Sequence, residues 1–239
     1  MINLKGRSLV SITDYNKEEI LRILDIAAGF EEDQRQQILN GFVIGSLFYE
    51  PSTRTRLSFE SAVQYLGGSI VGFASPDVSS VTKGESLKDT MLTVSNYTDL
   101  IVMRNPLDGS ARYASEVSPV PILNAGDGAN QHPTQCLLDL YSIMKKQGRL
   151  DDIHIAMVGD LKYGRTVHSL VQALSLFGAT FHFVSPDSLK MPSGVKTVVK
   201  NAGLEYHQYD DLKDVIPFAD ILYMTRIQRE HNSEATEAE

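Results

Sequence analysis

The feature that most restricts the fold of this chain is a short apolar run that ends at a polar turn and gives way to a helix, repeated along the sequence. Residues 42–49, Phe-Val-Ile-Gly-Ser-Leu-Phe-Tyr, are nearly continuous in apolar character, the pattern of a strand buried on both faces. Glu-Pro-Ser-Thr at 50–53 forms a polar turn. Beyond it Phe59, Ala62, Val63 and Leu66 recur at helical spacing until Gly67 and Gly68 stop the helix. Ahead of this unit, Thr13 or Asp14 can cap a helix from about residue 16, with Ile20, Leu24, Ala27 and Ala28 on its inner face. The alternation then continues with strands over 69–73, 100–104 and 120–124 and helices over 86–96, 109–117 and 133–146. Gly148 and the polar residues to 152 interrupt it. It restarts with strands over 153–158, 180–184, from Tyr206 and over 221–224, and helices over 166–177, 195–202 and 212–216. This order predicts an α/β protein of two domains, each a mostly parallel sheet covered by helices. Residues 74–84 have no apolar period and are expected to form an exposed loop, and the acidic stretch 231–239 is expected to be disordered.

Composition narrows the function. Of 239 residues, 42% are hydrophobic and 22% charged, enough apolar material for substantial cores. A net charge of −8 speaks against general nucleic-acid binding, which needs a basic face. Cys136 is the only cysteine, so no intrachain disulfide can form, and its apolar helical setting suggests a buried, inert thiol. No apolar run is long enough for a membrane helix, and residues 1–7 lack the pattern of a secretion signal. A reducing cytoplasm is the expected location.

The densest chemistry is Ser52-Thr53-Arg54-Thr55-Arg56, between a buried strand and a helix. In open α/β sheets ligands bind beyond the carboxyl ends of the strands, and a first helical turn offers unpaired N–H groups. Hydroxyls and guanidinium groups added there make a phosphate cradle, whereas the bland reading is a capped helix with two surface arginines. Arg104 ends another strand and suits either a salt bridge or a ligand. His132, in Asn-Gln-His-Pro-Thr-Gln at 130–135, stands at a helix start, where the dipole favours neutral imidazole; packing or capping is its bland alternative. In the second half, Gly159-Asp-Leu-Lys-Tyr-Gly-Arg165 links strand to helix without the spacing of a dinucleotide or Walker loop. Arg165 there, and Arg226 with Gln228 after the last strand, suit bidentate grip on carboxylates. A phosphate site and a carboxylate site suggest group transfer from a phosphorylated donor to a dicarboxylic acceptor. No metal-ligand spacing or nucleophile elbow is present.

Ser-Thr-Arg-Thr-Arg at 52–56, His-Pro-Thr-Gln at 132–135 and Gly-Asp-Leu-Lys-Tyr-Gly-Arg-Thr-Val-His-Ser at 159–169 together resemble the aspartate carbamoyltransferase family over about residues 1–230. The first two motifs are shared with ornithine carbamoyltransferases. Lys83 and Met-Thr-Arg-Ile-Gln at 224–228 resemble the aspartate branch, and the Ser-Met-Gly loop of the ornithine branch is not found. The resemblance implies a carbamoyl-phosphate domain over 1–133, a connecting helix over 134–149 and an aspartate domain over 150–239. It implies that Ser52, Thr53, Arg54 and Thr55 hold the phosphate, that Thr55, Arg104 and His132 surround the carbonyl oxygen, and that Gln135 lies near the amide. Arg165, Arg226 and Gln228 would bind L-aspartate. Family members are trimers whose sites borrow a serine and a lysine from the neighbouring chain, here Ser79 (Ser80 as the alternative) and Lys83. No metal or cofactor is implied, and regulatory chains remain open as partners.

The family pattern continues past this sequence through a His-Pro-Leu-Pro segment and a closing helix that packs on the first domain. Ile20, Leu24 and Ala27 are therefore expected to lack part of their cover. The departure is compatible with a shortened chain, one completed by another polypeptide, or an inactive remnant. A binding-only homologue and an enzyme with another acceptor, such as ornithine, are the competing functions.

Overall fold

The computed structural model describes residues 2–225. They form two compact units, one up to Leu137 and the other from Leu138 onward. The first contains α1 (Lys17–Glu32), β1 (Val43–Phe48), α2 (Thr53–Tyr65), β2 (Ser69–Phe73), α3 (Leu87–Val94), β3 (Leu100–Asn105), α4 (Ser110–Val117) and β4 (Ile122–Asp127). The chain then enters α5 (Pro133–Gln147), within which the division between the units falls. The second unit contains β5 (His154–Val158), α6 (Arg165–Leu174), β6 (Thr180–Val184), α7 (Ser193–Asn201), β7 (Tyr206–Tyr209) and β8 (Ile221–Met224).

Every strand pair in both sheets is parallel. The first sheet has the order β2-β1-β3-β4 and the second β7-β6-β5-β8. Strand periodicity explains the two-sided core of the first unit. Ile44, Phe48 and Val102 pack with Val63 of α2. Leu47, Ile101 and Met103 project to the opposite face with Met91 of α3 and Ala111 and Ala114 of α4. In the second unit Ala156 and Val184 pack with Val215. The alternating residues Ile155, Met157, Phe181 and Phe183 are also buried, on the other face. Among the outer strands, β4 is buried, whereas β2 is half exposed and Leu222 and Met224 of β8 are open to solvent.

Several boundaries differ from the sequence reading for local reasons. Asn16 itself caps α1, through a reciprocal capping box with Glu19, while Ser11 caps a separate 3-10 turn at Ile12–Asp14. The expected loop at 74–84 contains two 3-10 turns, Pro76–Val78 and Ser80–Lys83, started by Ser75 and Ser79. β4 runs on to Asp127, and residues 212–216 form only a short 3-10 turn. Of the three residues expected to lack part of their cover, Ile20 and Leu24 are fully buried and Ala27 is half-buried. The approach to α1 is fastened by Arg7 paired with Glu19 and by Arg112 of α4, whose Nη2 lies 2.7 Å from both Asp14 carboxylate oxygens. The N-terminal segment also extends the first sheet: Leu9 N–H donates to the Ile122 carbonyl at 2.8 Å and the Leu9 carbonyl accepts from Asn124 N–H at 2.9 Å.

Candidate active site

Each sheet has one point where the winding direction reverses, and Ser52 to Thr55 with Arg104 in the first unit, and Arg165 in the second, lie at or just beyond the ends of strands that border it. In the first sheet β2 lies on one side of β1 and β3 on the other. The crevice between the carboxyl ends of β1 and β3 is therefore the expected ligand position. Ser52 to Thr55 follow β1, and Arg104 lies near the end of β3, in register with Phe48.

Ser52 occupies the N-cap of α2 yet makes no capping bond with its side chain. Thr53, Arg54 and Thr55 form the first turn, and their side chains make no hydrogen bond or ion pair among the described residues. The two arginines of the motif separate at this point. Arg56 is paired with Glu60 at 3.5 Å, and Glu60 also accepts a hydrogen bond from Ser46 at 3.0 Å. Arg54 is exposed and makes no ion pair among the described residues. Uncapped N–H groups, three unused hydroxyls and an unpaired guanidinium at a positive helix end form a site for a phosphate-sized anion.

Arg104 is held differently. Its Nε lies 2.7 Å from Glu50 Oε1, and its Nη1 donates to the Ala125 carbonyl at 3.3 Å. β1, β3 and β4 thus all contribute to its placement. Tyr49, next to Glu50, packs edge-on against Phe73 at 5.1 Å between ring centres. Burial, with a smaller push from the Glu85 charge, drives the phenol up to about 12. Tyr49 stays neutral and serves as a wall.

His132 is buried immediately before α5, with Gln135 in the first turn of that helix. Thr134 Oγ1 lies 3.5 Å from His132 Nδ1, at the outer limit of a hydrogen bond. The sequence reading missed the group that organises this segment, the fully buried Asp127. Its carboxylate accepts from Asn124, Gly109, Asn130 and Gln131, and its backbone N–H donates to the Gln131 carbonyl at 3.2 Å. An Asp-Gly turn at 127–128 after a strand was the available signal.

In the 74–84 segment the Ser79 hydroxyl donates to the Pro76 carbonyl at 2.8 Å and accepts from Val81 N–H at 3.4 Å. Ser80 and Lys83 are exposed, and Lys83 makes no ion pair among the described residues.

The second sheet reverses between β5 and β8. The loop after β5 carries Arg165 to the first position of α6, with Gly164 at the N-cap. Thr225 follows β8 and lies against the start of that loop, its hydroxyl donating to the Val158 carbonyl at 3.0 Å. Gly159 has φ +109°, and a Cβ there would lie 2.5 Å from Thr225 Oγ1, so only glycine fits. Arg226 and Gln228 lie outside the described residues. Asp160, buried in the loop, accepts from Lys162 and Tyr163 N–H groups at 3.1 and 3.0 Å through Oδ1, while Oδ2 makes no hydrogen bond among the described residues. His168 is placed 2.8 Å from the Leu161 carbonyl, and burial lowers its pKa, so it is a neutral donor that fastens the loop to α6.

Among the described residues no group of three or more His, Cys, Asp and Glu is placed to hold a metal ion, and no helix is long and apolar enough to cross a membrane. The sequence matches two family models in series. Residues 7–145 match the aspartate/ornithine carbamoyltransferase, carbamoyl-P binding domain, and residues 151–239 the Asp/Orn binding domain. An aspartate carbamoyltransferase catalytic subunit from Parabacteroides distasonis is 58% identical over 237 residues, covering 99% of this chain and 78% of that relative. The solved catalytic subunit of M. jannaschii aspartate transcarbamoylase superposes with a TM-score of 0.88 at 52% identity, covering 94% of this chain and 75% of its own. Aspartate transcarbamoylase from Trypanosoma cruzi in complex with carbamoyl phosphate gives 0.89 at 39% identity, covering 97% and 75%.

Proposed function

Since the chain belongs to the aspartate/ornithine carbamoyltransferase family over both of its domains, we propose that the residues at its two switch points divide the work of carbamoyl transfer to aspartate. The reaction moves the carbamoyl group from carbamoyl phosphate to the amino group of L-aspartate, giving N-carbamoyl-L-aspartate and phosphate. The observation that carries the division is the open cradle at 52–55 beside Arg104 at the β1/β3 reversal.

In this reading Ser52, Thr53, Arg54 and Thr55 bind the phosphate, and Gln135 lies beside the carbamoyl amide. The neutral amine of aspartate attacks the carbonyl carbon and the oxygen becomes an oxyanion. Thr55, Arg104 and His132 are its donors, each worth about 3 kcal/mol in the transition state. The bond from carbon to the phosphate oxygen then breaks, and the departing phosphate takes the amine proton. Arg165, Arg226 and Gln228 hold the two carboxylates, so the acceptor is fixed by paired charge. Binding both substrates together supplies further acceleration by removing their translational freedom.

A homotrimer is the proposed assembly, with Ser79 and Lys83 contributed by the neighbouring subunit. Supporting it, Lys83 has no ion-pair partner among the described residues, and the same unit exposes Leu57, Phe42 and Val71 as well as Val78 at the loop. The proposed setting is pyrimidine biosynthesis in the cytoplasm.

Purified protein given radiolabelled carbamoyl phosphate with aspartate or ornithine tests the proposal. Labelled carbamoyl-aspartate is expected, with none formed from ornithine. Product from ornithine alone would overturn the acceptor, and no product from either, with carbamoyl phosphate still bound, would indicate a binding-only protein.

A further inference from the structure

Two carboxylates outside the substrate-binding set tie together the segments that carry Arg104 and His132. β3 ends at Asn105 and continues into the turn at 106–109; β4 ends at Asp127 and continues through 128–131 to His132. Asp127 Oδ1 accepts from Asn124 Nδ2 at 2.9 Å and Gln131 N–H at 3.1 Å. Its Oδ2 accepts from Asn130 Nδ2 and from Gly109 N–H, both at 3.0 Å. The Gly109 bond crosses to the β3 turn. A return bond runs from Ala129 N–H to Asp108 Oδ1 at 2.7 Å, and Gly128 N–H donates to the Asn105 carbonyl at 2.9 Å.

Each turn therefore gives a backbone N–H to the carboxylate of the other. Contact is close enough that a Cβ on Gly128, at φ +54°, would lie 1.9 Å from Asp108 Oδ1. Burying a carboxylate is costly, and a loop needing only to be packed would be served as well by an apolar group. Four donors around one fully buried carboxylate instead hold several chain segments in one mutual geometry.

We propose that Asp127 and Asp108 are positioning residues that hold Arg104 and His132 at a fixed spacing, so that both donors reach one carbonyl oxygen. The inference rests on the assignment of those two side chains to the carbamoyl carbonyl. Neither carboxylate bonds to residues 52–55, so grip on the carbamoyl group is separable from grip on phosphate.

Equilibrium titration of the full chain with carbamoyl phosphate, and separately with inorganic phosphate, tests this. Asp127→Asn turns an amide toward N–H donors, and Asp108→Asn makes a milder change at an exposed position. Each should weaken carbamoyl phosphate about tenfold while leaving inorganic phosphate within about twofold. In a His132→Ala background the loss from either variant should shrink to about threefold or less, because the carboxylates act partly through that side chain. Equal weakening of both ligands, or an undiminished loss in the His132→Ala background, would overturn the proposal. Should Asp127→Asn not fold, Asp108→Asn alone decides between these results. Failure of the underlying site assignment looks different: His132→Ala and Arg104→Ala would then leave carbamoyl phosphate binding unchanged, and the proposal would fall with it.

Discussion

Glu50 Oε1 lies 2.7 Å from Arg104 Nε, but the guanidinium N–H is not aimed along a hydrogen bond to it. The pair is a charge contact at the mouth of the β1/β3 crevice, and the Arg104 side chain is only 14% exposed. Removing the carboxylate leaves a poorly solvated cation, so Glu50→Gln should lower stability by about 1–2 kcal/mol. An anion in the crevice supplies the missing charge. Saturating inorganic phosphate should therefore raise the thermal midpoint of Glu50→Gln more than that of the unmodified protein, and equal gains would argue against competition between Glu50 and phosphate.

Arg54 and Arg56 are adjacent in one motif but differ in role. Arg54→Ala should reduce phosphate affinity by about tenfold or more while changing stability by less than about 0.5 kcal/mol. Arg56→Ala should do the reverse, retaining the ligand and losing up to about 1 kcal/mol with its Glu60 partner. Calorimetric titration and urea unfolding of both variants separate the two effects.

His182 of β6 stacks between His154 and His207, with Tyr209 and Phe218 beside it. Burial, and after it the charges of His154 and His207, lower its pKa from 6.5 to about 4. Between these values the unfolded chain binds a proton that the folded chain does not. The contribution is therefore intact above pH 6.5 and is lost as pH falls toward 4. Unfolding free energy should drop by on the order of 2 kcal/mol across that window, and His182→Phe should flatten the slope. An unchanged slope in the variant would assign the acid sensitivity elsewhere.

Gly159→Ala should cost about 2–3 kcal/mol, since the backbone is left-handed and the new methyl meets Thr225. The damage lies in the second unit, at the chain leading to Arg226. Carbamoyl phosphate binding should persist while carbamoyl transfer to aspartate falls, measured as a rise in the KM for aspartate.

Alternating strands and helices were legible because buried parallel strands leave continuous apolar runs, as in β1 and β3. The cradle was legible because its donors are consecutive in sequence. Asp127 was only partly so: the Asp-Gly pair at 127–128 marks a turn after a strand, but the burial of the carboxylate and its bond to Gly109, 18 residues away, leave no local pattern. The pairing of Leu9 with β4 was equally hidden, because an isolated bridge has no periodicity of its own. The separation of Arg54 from Arg56 required Glu60, one helical turn beyond Arg56, to be seen accepting from Ser46 as well.

The most direct test of the central claim is the position of carbamoyl phosphate in a crystal of this protein. The phosphate should sit against the first turn of α2, contacted by Ser52, Thr53, Arg54 and Thr55, with its carbonyl oxygen between Arg104 and His132. Phosphate bound away from α2, or a carbonyl oxygen contacting neither Arg104 nor His132, would contradict the account.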